Sequence, residues 1–415
     1  MRAGFSIADI TPGERRPDLC GFAARKQPST RVGAALMARV VVFESGRTRA
    51  VIAVCDLLGF RQADSLRLER AIARAARIPL KSVLLACTHN HSGPMSMPLG
   101  RLIRFRRAYL KHVESRLVEA ARAAAGDLEQ VTATRFGKQT IRELGEYRCC
   151  RHEPGRARWP GVVSALRLER GQSQPITFCH AGVHPYVLGW DSRVVHPDFP
   201  GPLCAAIRGH SVFLPGCGAD VSPVPAMRTT LTAVERYGRR LAQATERALS
   251  RGRGAALSPI SSHVVSRRIR FGFSPALPTP DGNDVAMRSL LKVWDQIERN
   301  HKLWERDRAA GRLPKLASFR MHLLRLGELT FIGIPAEVFG QTGIALEKSL
   351  GSGPSLIVSH AGGNWGYLPR PFSYKHRTYE SSEAHHWYRT DGGMAPGTEA
   401  AVRRVVVRAA RRLTR

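Results

Sequence analysis

The chain has 415 residues, of which 43% are hydrophobic and 23% charged, values typical of a globular protein. No apolar run approaches the roughly 20 residues that a membrane-spanning helix needs, and the N-terminus lacks the apolar core of a secretory signal. Eight cysteines without a CxxC pair favour a reducing compartment and disfavour a zinc site made of cysteines. We therefore expect a cytoplasmic protein.

The formal net charge of +31 comes mainly from arginines that are scattered along the chain, for example Arg239-Arg240 and Arg411-Arg412. A nucleic-acid site would concentrate such charge on one tail or helix face, with aromatic residues between the cations. The scatter favours a solvated surface and no specific nucleic-acid partner. We expect at most a weak association with anionic membranes, which salt would screen.

Hydrophobic periodicity and turn residues predict elements along the whole chain. Ser45–Thr48 is predicted to join a hairpin, and Thr232–Glu235 is predicted to be a capping box at a helix start. Strands are predicted at 39–44, 50–55, 82–87, 162–168, 176–180, 211–214, 264–271, 318–326, 329–334 and 355–359, and helices at 63–76, 107–125, 232–249 and from 398 onwards.

This irregular alternation predicts an α/β fold with mixed sheets and flanking helices, and disfavours a regular eightfold barrel. We expect one large catalytic unit over residues 1–415. The proline-rich stretch 275–280 is the predicted boundary between two lobes of that unit.

Polar clusters follow five of the apolar strands directly. They occupy 88–94, 180–185, 216–223, 336–337 and 359–367. Because loops at the carboxyl ends of strands converge on the ligand crevice in α/β folds, these clusters predict one active site built from five loops.

The first cluster contains His89 and His91, which would project to the same side of an extended segment. A second His-Pro pair, His184-Pro185, follows another strand. Neutral imidazoles together with one carboxylate are ligands that zinc accepts, and a catalytic zinc site keeps one position for water. These clusters therefore predict a catalytic zinc ion.

The same clusters belong to an ordered series that resembles the neutral/alkaline ceramidases along nearly the whole chain. The matching segments are ADITP at 8–12, THNHSGP at 88–94, VHP at 183–185, DFPG at 198–201, GCGADVSP at 216–223, IPAE at 334–337, GYLP at 366–369, and then Tyr374 and Tyr379-Glu380. Each string is short, but their common order indicates the family.

The resemblance implies a Zn²⁺ ion and a set of residues that face the scissile amide. The implied zinc ligands are His89, His184, Glu337 and Tyr367, and the implied substrate-facing residues are His91, Arg148 and Tyr379. Ser222 matches a serine proposed as nucleophile in the family. We instead expect zinc-activated water to attack, because no base for the serine is evident. Asp220 and Ser222 would then brace the loop, and Asp220 could also protonate the departing amine through water.

Several features depart from the family pattern. Ala219 stands where the family has glycine, Val224 where it has asparagine, and Arg370–Ser373 replaces a Thr-Arg/Glu-Glu region. We also expect a short form without the C-terminal β-sandwich of the larger members. These departures favour a soluble or short-chain amide over a membrane lipid as substrate.

Three further segments are predicted to be structural. His385-His386 beside Trp387 is predicted to form an exposed loop and not a second metal site. Trp294, Ile297 and Trp304 recur at helical spacing, which predicts core or lid packing. The segment 403–415 is predicted to be a surface helix and not a membrane anchor.

The leading hypothesis is a zinc-dependent amidohydrolase that acts on an N-acylated amine or a ceramide-like lipid. An esterase or lactonase with the same metal site is the first alternative. The second is a non-catalytic paralogue that binds an anionic lipid or polymer through its charge. Stoichiometric zinc would disfavour this second alternative.

Overall fold

The computed structural model describes residues 1–13, 16–25, 27–100, 105–148, 159–228, 230–275, 294–351 and 353–413. The helices within these ranges are α1 Gln62–Ala76, α2 Arg107–Gly126, α3 Pro200–Ala206, α4 Leu231–Ser250, α5 Trp294–Ala309, α6 Gly340–Leu350, α7 Pro371–Lys375, α8 Tyr379–Ser382, α9 Ala384–Tyr388 and α10 Thr398–Leu413. None of these described helices is long and apolar enough to cross a bilayer.

The strands within the same ranges are β1 Arg2–Asp9, β2 Arg31–Val32, β3 Met37–Ser45, β4 Thr48–Cys55, β5 Val83–Cys87, β6 Glu129–Thr140, β7 Gly145–Tyr147, β8 Val162–Arg170, β9 Ile176–Ala181, β10 Val194–Val195, β11 His210–Pro215, β12 Val221–Pro223, β13 Ile260–Phe273, β14 Leu316–Leu326, β15 Leu329–Gly333, β16 Glu337–Val338, β17 Ser355–Val358, β18 Tyr367–Leu368 and β19 Gly393–Met394. Every strand and helix predicted from the sequence has a counterpart at its predicted place.

Two mixed sheets organise the described residues. The larger sheet has eight strands in the order β11-β9-β8-β6-β1-β3-β4-β5, and the smaller has five in the order β17-β15-β14-β13-β19. Both combine antiparallel hairpins with parallel pairs such as β4–β5 and β15–β17. Three two-stranded pairs, β2–β10, β7–β12 and β16–β18, connect loops around the sheets. The mixed α/β architecture predicted from the sequence is confirmed.

Strand β3 is apolar at successive positions because both faces of the larger sheet are covered. Val40 and Val42 pack with α1 and α2, while Val41 and Phe43 pack in the core shared with the smaller sheet. Side chains alternate between the two faces of a strand, so a strand covered on both faces carries apolar residues at successive positions, here 40–43.

The outer face of the smaller sheet packs against α6 and α10. Val402 and Val406 of α10 share a core with Phe319 and Met321 of β14. The arginines of α10, such as Arg404, lie on the face of the helix that is turned towards the solvent. The described residues therefore form four layers, with helices outside two packed sheets. The predicted surface helix is confirmed.

Helix α4 begins one residue before its predicted start. Thr230 is the N-cap and makes no side-chain capping bond, so Thr232 lies inside the first turn and the predicted capping box is wrong. Leu231 packs against the core beneath α4. The helix can begin at Leu231 without a polar cap, because buried apolar contacts stabilise a helix more than a single capping bond does.

Two long strands have no sequence prediction. β1 lies within the larger sheet, between β3 and β6, and β6 pairs with β8. Most of β6 is exposed or half-buried, and its polar sequence lacks the apolar run on which strand prediction depends. Of the predicted lobe boundary, 276–280 lies outside the described residues.

Gly137 of β6 allows the sheet to contact the end of α4 directly. A methyl group at Gly137 would overlap the Ala248 carbonyl, whereas a methyl group at Gly126, the last residue of α2, meets nothing within 4 Å. Backbone cannot move aside as a flexible side chain can, so Gly137→Ala should lower the free energy of unfolding by about 1–3 kcal/mol. Gly126→Ala should change it by less than about 0.5 kcal/mol. Urea unfolding of both variants tests this difference, and equal stabilities would contradict the close contact.

Candidate metal centre and active site

Five loops that follow β5, β9, β11, β15 and β17 meet at one edge of the two sheets. The loop after β17 joins the sheets, because the His360 carbonyl accepts a hydrogen bond from the Cys87 amide at 3.3 Å and the Ser359 amide donates to the Pro215 carbonyl at 3.0 Å. The five polar clusters predicted from the sequence therefore surround one place.

His89 and His91 lie in the loop directly after β5. His89 has a left-handed backbone with φ of 67°, so the prediction of an extended segment is wrong at this residue. The His89 and Asn90 amides both donate to the Leu57 carbonyl, at 2.9 and 3.2 Å, and the Asn90 side chain donates to the Asp56 carbonyl at 3.1 Å. These bonds hold the two imidazole centroids 5.0 Å apart.

Backbone carbonyls select the tautomer of two histidines. Nδ1 of His89 lies 2.8 Å from the Leu58 carbonyl, and Nδ1 of His184 lies 3.0 Å from the Gly218 carbonyl. Since a carbonyl only accepts, each Nδ1 carries a hydrogen, and Nε2 is the nitrogen that presents a lone pair when the ring is neutral. Burial also lowers the pKa of His184 well below its ordinary value. Such neutral imidazoles are the form that binds a metal ion.

Glu337 faces both of these imidazoles. Its Oε2 lies 3.2 Å from Nε2 of His89 and 3.6 Å from Nε2 of His184, and the Tyr388 hydroxyl donates to Oε1. Oε2 and the His184 Nε2 are buried without a hydrogen-bond partner among the described residues. Ligands of a tetrahedral zinc lie roughly 3.3 Å apart when the bonds measure about 2.0–2.1 Å. The donor set and its spacing therefore fit zinc.

His91 lies within reach of the same place. One ring nitrogen each from His89, His91 and His184 can be chosen so that all three lie within 4.8 Å of one another. The Arg25 guanidinium donates to the His91 carbonyl at 2.8 Å, and a methyl group at Gly21 would lie 2.6 Å from the imidazole. Burial lowers the pKa of His91 well below its ordinary value. His91 is thus fixed as a neutral side chain beside the candidate ligands.

Tyr367 reaches the site through a short pair of strands. Glu337 and Tyr367 stand opposite each other in the parallel pair β16–β18. Burial raises the pKa of the Tyr367 phenol, the Glu337 charge raises it further, and the Arg148 charge opposes both. Tyr379 lines the same cavity, with its ring 5.9 Å from that of Tyr367.

Arg148 lies behind Tyr367 and is paired with Glu380. The ion pair measures 3.0 Å, and the guanidinium also donates to the Ala219 carbonyl and lies 5.9 Å from the Tyr367 ring. Its position follows from β7–β12, since the Arg148 amide donates to the Asp220 carbonyl at 2.8 Å. The structure therefore brings Arg148 next to a candidate zinc ligand.

Asp220 and Ser222 contact protein groups behind the site. The Asp220 carboxylate accepts from the Gly340 amide at 2.8 Å, at the start of α6, and burial raises its pKa to about 6. The Ser222 hydroxyl lies 2.6 Å from the Tyr186 hydroxyl. A phenol is a poor base near neutral pH, so this contact does not activate the serine. These are contacts that brace the loop.

The structure adds residues without a prior prediction. Tyr388 orients Glu337, and His360 stacks on His89 with ring centroids 3.9 Å apart and planes within 6°. Phe22 packs its ring edge against His91, 4.9 Å between centroids. His360 lies in a predicted cluster and was within reach of prediction. No sequence pattern indicated Tyr388, because its contact with Glu337 joins residues that are 51 positions apart in the chain.

Comparison with known proteins places this geometry in a known fold. No protein-family profile and no curated protein matches the sequence. A solved neutral ceramidase from Pseudomonas aeruginosa is similar, with a TM-score of 0.77 and 17% identity over 99% of this chain and 74% of that chain. A ceramidase complexed with C2 gives a TM-score of 0.76 at the same identity and coverage. This chain has the neutral ceramidase fold. The family resemblance seen in the ordered motifs is thereby confirmed at the level of fold.

One departure from the ceramidase motifs is accommodated without strain. Ala219 replaces a glycine, and its backbone does not have the positive φ that would favour glycine. Its amide donates to the Val338 carbonyl at 3.1 Å. Arg370–Ser373 leads into the short helix α7 beside the site-bearing strand β18.

The prediction of an exposed loop at His385-His386 is wrong. Both histidines are buried in α9, where Nε2 of His386 lies 3.1 Å from Nδ1 of His301 on α5. Trp304 packs against both, with centroid distances of 5.0 and 4.6 Å. Aromatic packing with α5 therefore buries side chains whose polarity suggested exposure. The predicted core packing is confirmed for Ile297 and Trp304 but not for Trp294, which is half-buried and donates to the Glu298 carboxylate at 3.0 Å.

The candidate ligand set predicts metal content. Purified protein should contain about one zinc per chain, and His184→Ala or Glu337→Ala should lose most of it, because each removes a ligand and leaves the other buried groups unpaired. His210→Ala is the matched control, since His210 stacks on Phe5 away from the site. Elemental analysis after dialysis measures the ratio. Full occupancy in both ligand variants would contradict the assignment.

Proposed function

We propose that this chain is a zinc-dependent amidohydrolase that cleaves the C–N bond of an N-acylated amine. The observation that carries the proposal is the buried Oε2 of Glu337, which lies 3.2 Å from Nε2 of His89 and 3.6 Å from Nε2 of His184 within a ceramidase fold. His89, His184, Glu337 and Tyr367 would hold the ion. Bound zinc supplies Lewis-acid chemistry: it polarises a carbonyl and lowers the pKa of water to about 7.

The remaining side chains have protonation states suited to stabilising an oxyanion. Desolvation and the nearby Glu337 carboxylate raise the pKa of the Tyr379 phenol although 38% of the residue is exposed, so this group keeps its proton and can donate a hydrogen bond. Burial opposes the charge of Arg148, but the ion pair with Glu380 at 3.0 Å helps to hold its pKa well above the ordinary value, so this group keeps its charge. Preorganised donors of this kind favour the charge that develops on an amide oxygen during attack.

His91 is the candidate for proton transfer. Its imidazole is neutral, lines the cavity and lies beside the candidate ligands. It can therefore accept a proton from the attacking water and return it to the nitrogen of the departing amine. The overall reaction converts an amide and water into a carboxylate and an amine. An ester or lactone would meet the same groups, and a matched ester substrate distinguishes that alternative by its relative kcat/KM.

The contacts of Ser222 lead to a prediction about the nucleophile. Ser222→Ala should retain measurable turnover, with a loss similar to that of Tyr186→Phe, because both substitutions break the same 2.6 Å hydrogen bond. If the serine were the nucleophile, Ser222→Ala alone would abolish activity. Turnover and intact-protein mass spectrometry with a slow substrate test this. An acyl group captured on Ser222 would overturn the water mechanism.

The charge of the chain leads to a prediction about substrate. We expect faster hydrolysis of soluble or short-chain N-acyl amines than of long-chain ceramide in vesicles. With a net charge of +31, binding to anionic vesicles should be electrostatic and should weaken as the Debye length falls to about 8 Å at physiological salt. Rates on both substrates across a salt series measure this. Faster, salt-insensitive cleavage of long-chain ceramide would contradict the prediction.

A further inference from the structure

The cavity in front of the candidate zinc ligands is small and has an aromatic wall. Its volume is about 60 Å³. Among the described residues, the lining combines the candidate site residues His89, His91, Glu337, Tyr367 and Tyr379 with a mostly apolar set. The other lining residues are Gly21, Phe22, Ala23, Leu58, Leu99, Trp387 and Tyr388.

The volume limits what the cavity can hold. One water needs about 10–15 Å³ of such space, so the cavity accepts roughly five non-hydrogen atoms. A butyryl group, with its carbonyl and a short alkyl chain, is of about this size. Chain atoms beyond that number would lie outside the cavity, where they bury little apolar surface.

Trp387 forms the wall, and its position is fixed from two sides. The Gly100 amide donates to the Trp387 carbonyl at 2.7 Å, and a methyl group at Gly100 would lie 3.1 Å from the indole. Gly100 has φ of 56°, a conformation that favours glycine, so the indole rests on a residue without a side chain. Behind it, His386 of the same helix packs on His301 and Trp304 of α5. The wall is therefore held by well-packed neighbours.

The cavity suits the acyl group better than the amine. Glu337 is the one carboxylate among the described residues that line it, and Tyr388 already occupies one of its oxygens. Arg25 and Arg148 each lie next to a lining residue. A cationic substituent on the amine part would find two arginines nearby and no acid except the candidate ligand Glu337, whereas the alkyl chain of an acyl group finds Phe22, Leu99 and Trp387.

We propose that Trp387 is a specificity-determining residue that limits the acyl group of the substrate to about five non-hydrogen atoms. This inference rests on the proposed amide hydrolysis for its substrate class. It adds a chain-length limit and the side chain that sets it.

The test compares acyl chains from two to twelve carbons on the zinc-loaded protein. Binding of the free carboxylates is measured by calorimetry, and kcat/KM is measured on N-acyl amides of the same chains. Each methylene that enters an apolar cavity should improve binding roughly fourfold. We expect this rise to stop at about four carbons for the unsubstituted protein and to continue to longer chains in Trp387→Ala. Trp387→Phe should shift this limiting chain length less than Trp387→Ala does. Because it keeps an aromatic ring, it still tests the inference if the alanine variant misfolds.

Trp190→Ala is the matched control, since Trp190 is 39% exposed and does not line the cavity. In this control, the improvement in binding should stop at the same chain length as in the unsubstituted protein. A rise that continues to twelve carbons in the unsubstituted protein, or an unchanged limiting chain length in both folded Trp387 variants, would overturn the inference. If carboxylate binding shows the limiting chain length and no amide is cleaved, the proposed reaction fails and the chain-length limit stands.

Discussion

The buried carboxylate of Glu337 is the constraint on which the rest of the site depends. Its side chain is 1% exposed, and its nearest nitrogen atoms belong to the imidazoles of His89 and His184. A charge placed in such a position is costly unless a cation or several hydrogen bonds compensate it. Tyr388 supplies one bond, to Oε1. Oε2 and the His184 Nε2 have no hydrogen-bond partner among the described residues, an arrangement that suits groups which would share a cation under the proposed function.

The two-sheet architecture delivers the groups that share this constraint. The histidines come from strands of the larger sheet, and Glu337 and Tyr367 come from segments that follow the smaller one. Neither sheet alone carries a complete ligand set. The hydrogen bonds of the loop after β17 to Cys87 and Pro215 fix the two sheet edges relative to each other. Packing between the sheets therefore determines the distances between ligand atoms.

The sequence predicts the fold and the convergence of the polar clusters because both depend on local patterns, whereas the individual candidate ligands were implied by the family resemblance. Apolar runs that end in His or Glu mark the ends of buried strands, and these ends must meet in an α/β fold. Residues that act across long distances leave no such pattern. Tyr388 orients Glu337 from 51 positions away, and His386 is buried only because α5 supplies Trp304 and His301. The polar strand β6 is likewise stabilised by its neighbours in the sheet and not by its own composition.

Helix α9 joins two tasks within adjacent residues, since Trp387 closes the cavity and Tyr388 orients the candidate ligand Glu337. Under the proposed function, a shift of this helix would alter both the chain-length limit and the position of the candidate ligand Glu337. A substitution between α5 and α9 would then have two effects. If it enlarged the cavity by moving α9, it would also weaken the hydrogen bond from Tyr388 that orients the Glu337 carboxylate. A cavity for longer acyl chains would therefore evolve more easily by substitution of Trp387 itself, or of Leu99 or Phe22 on other segments. A movement of α9 would displace Trp387 and Tyr388 together.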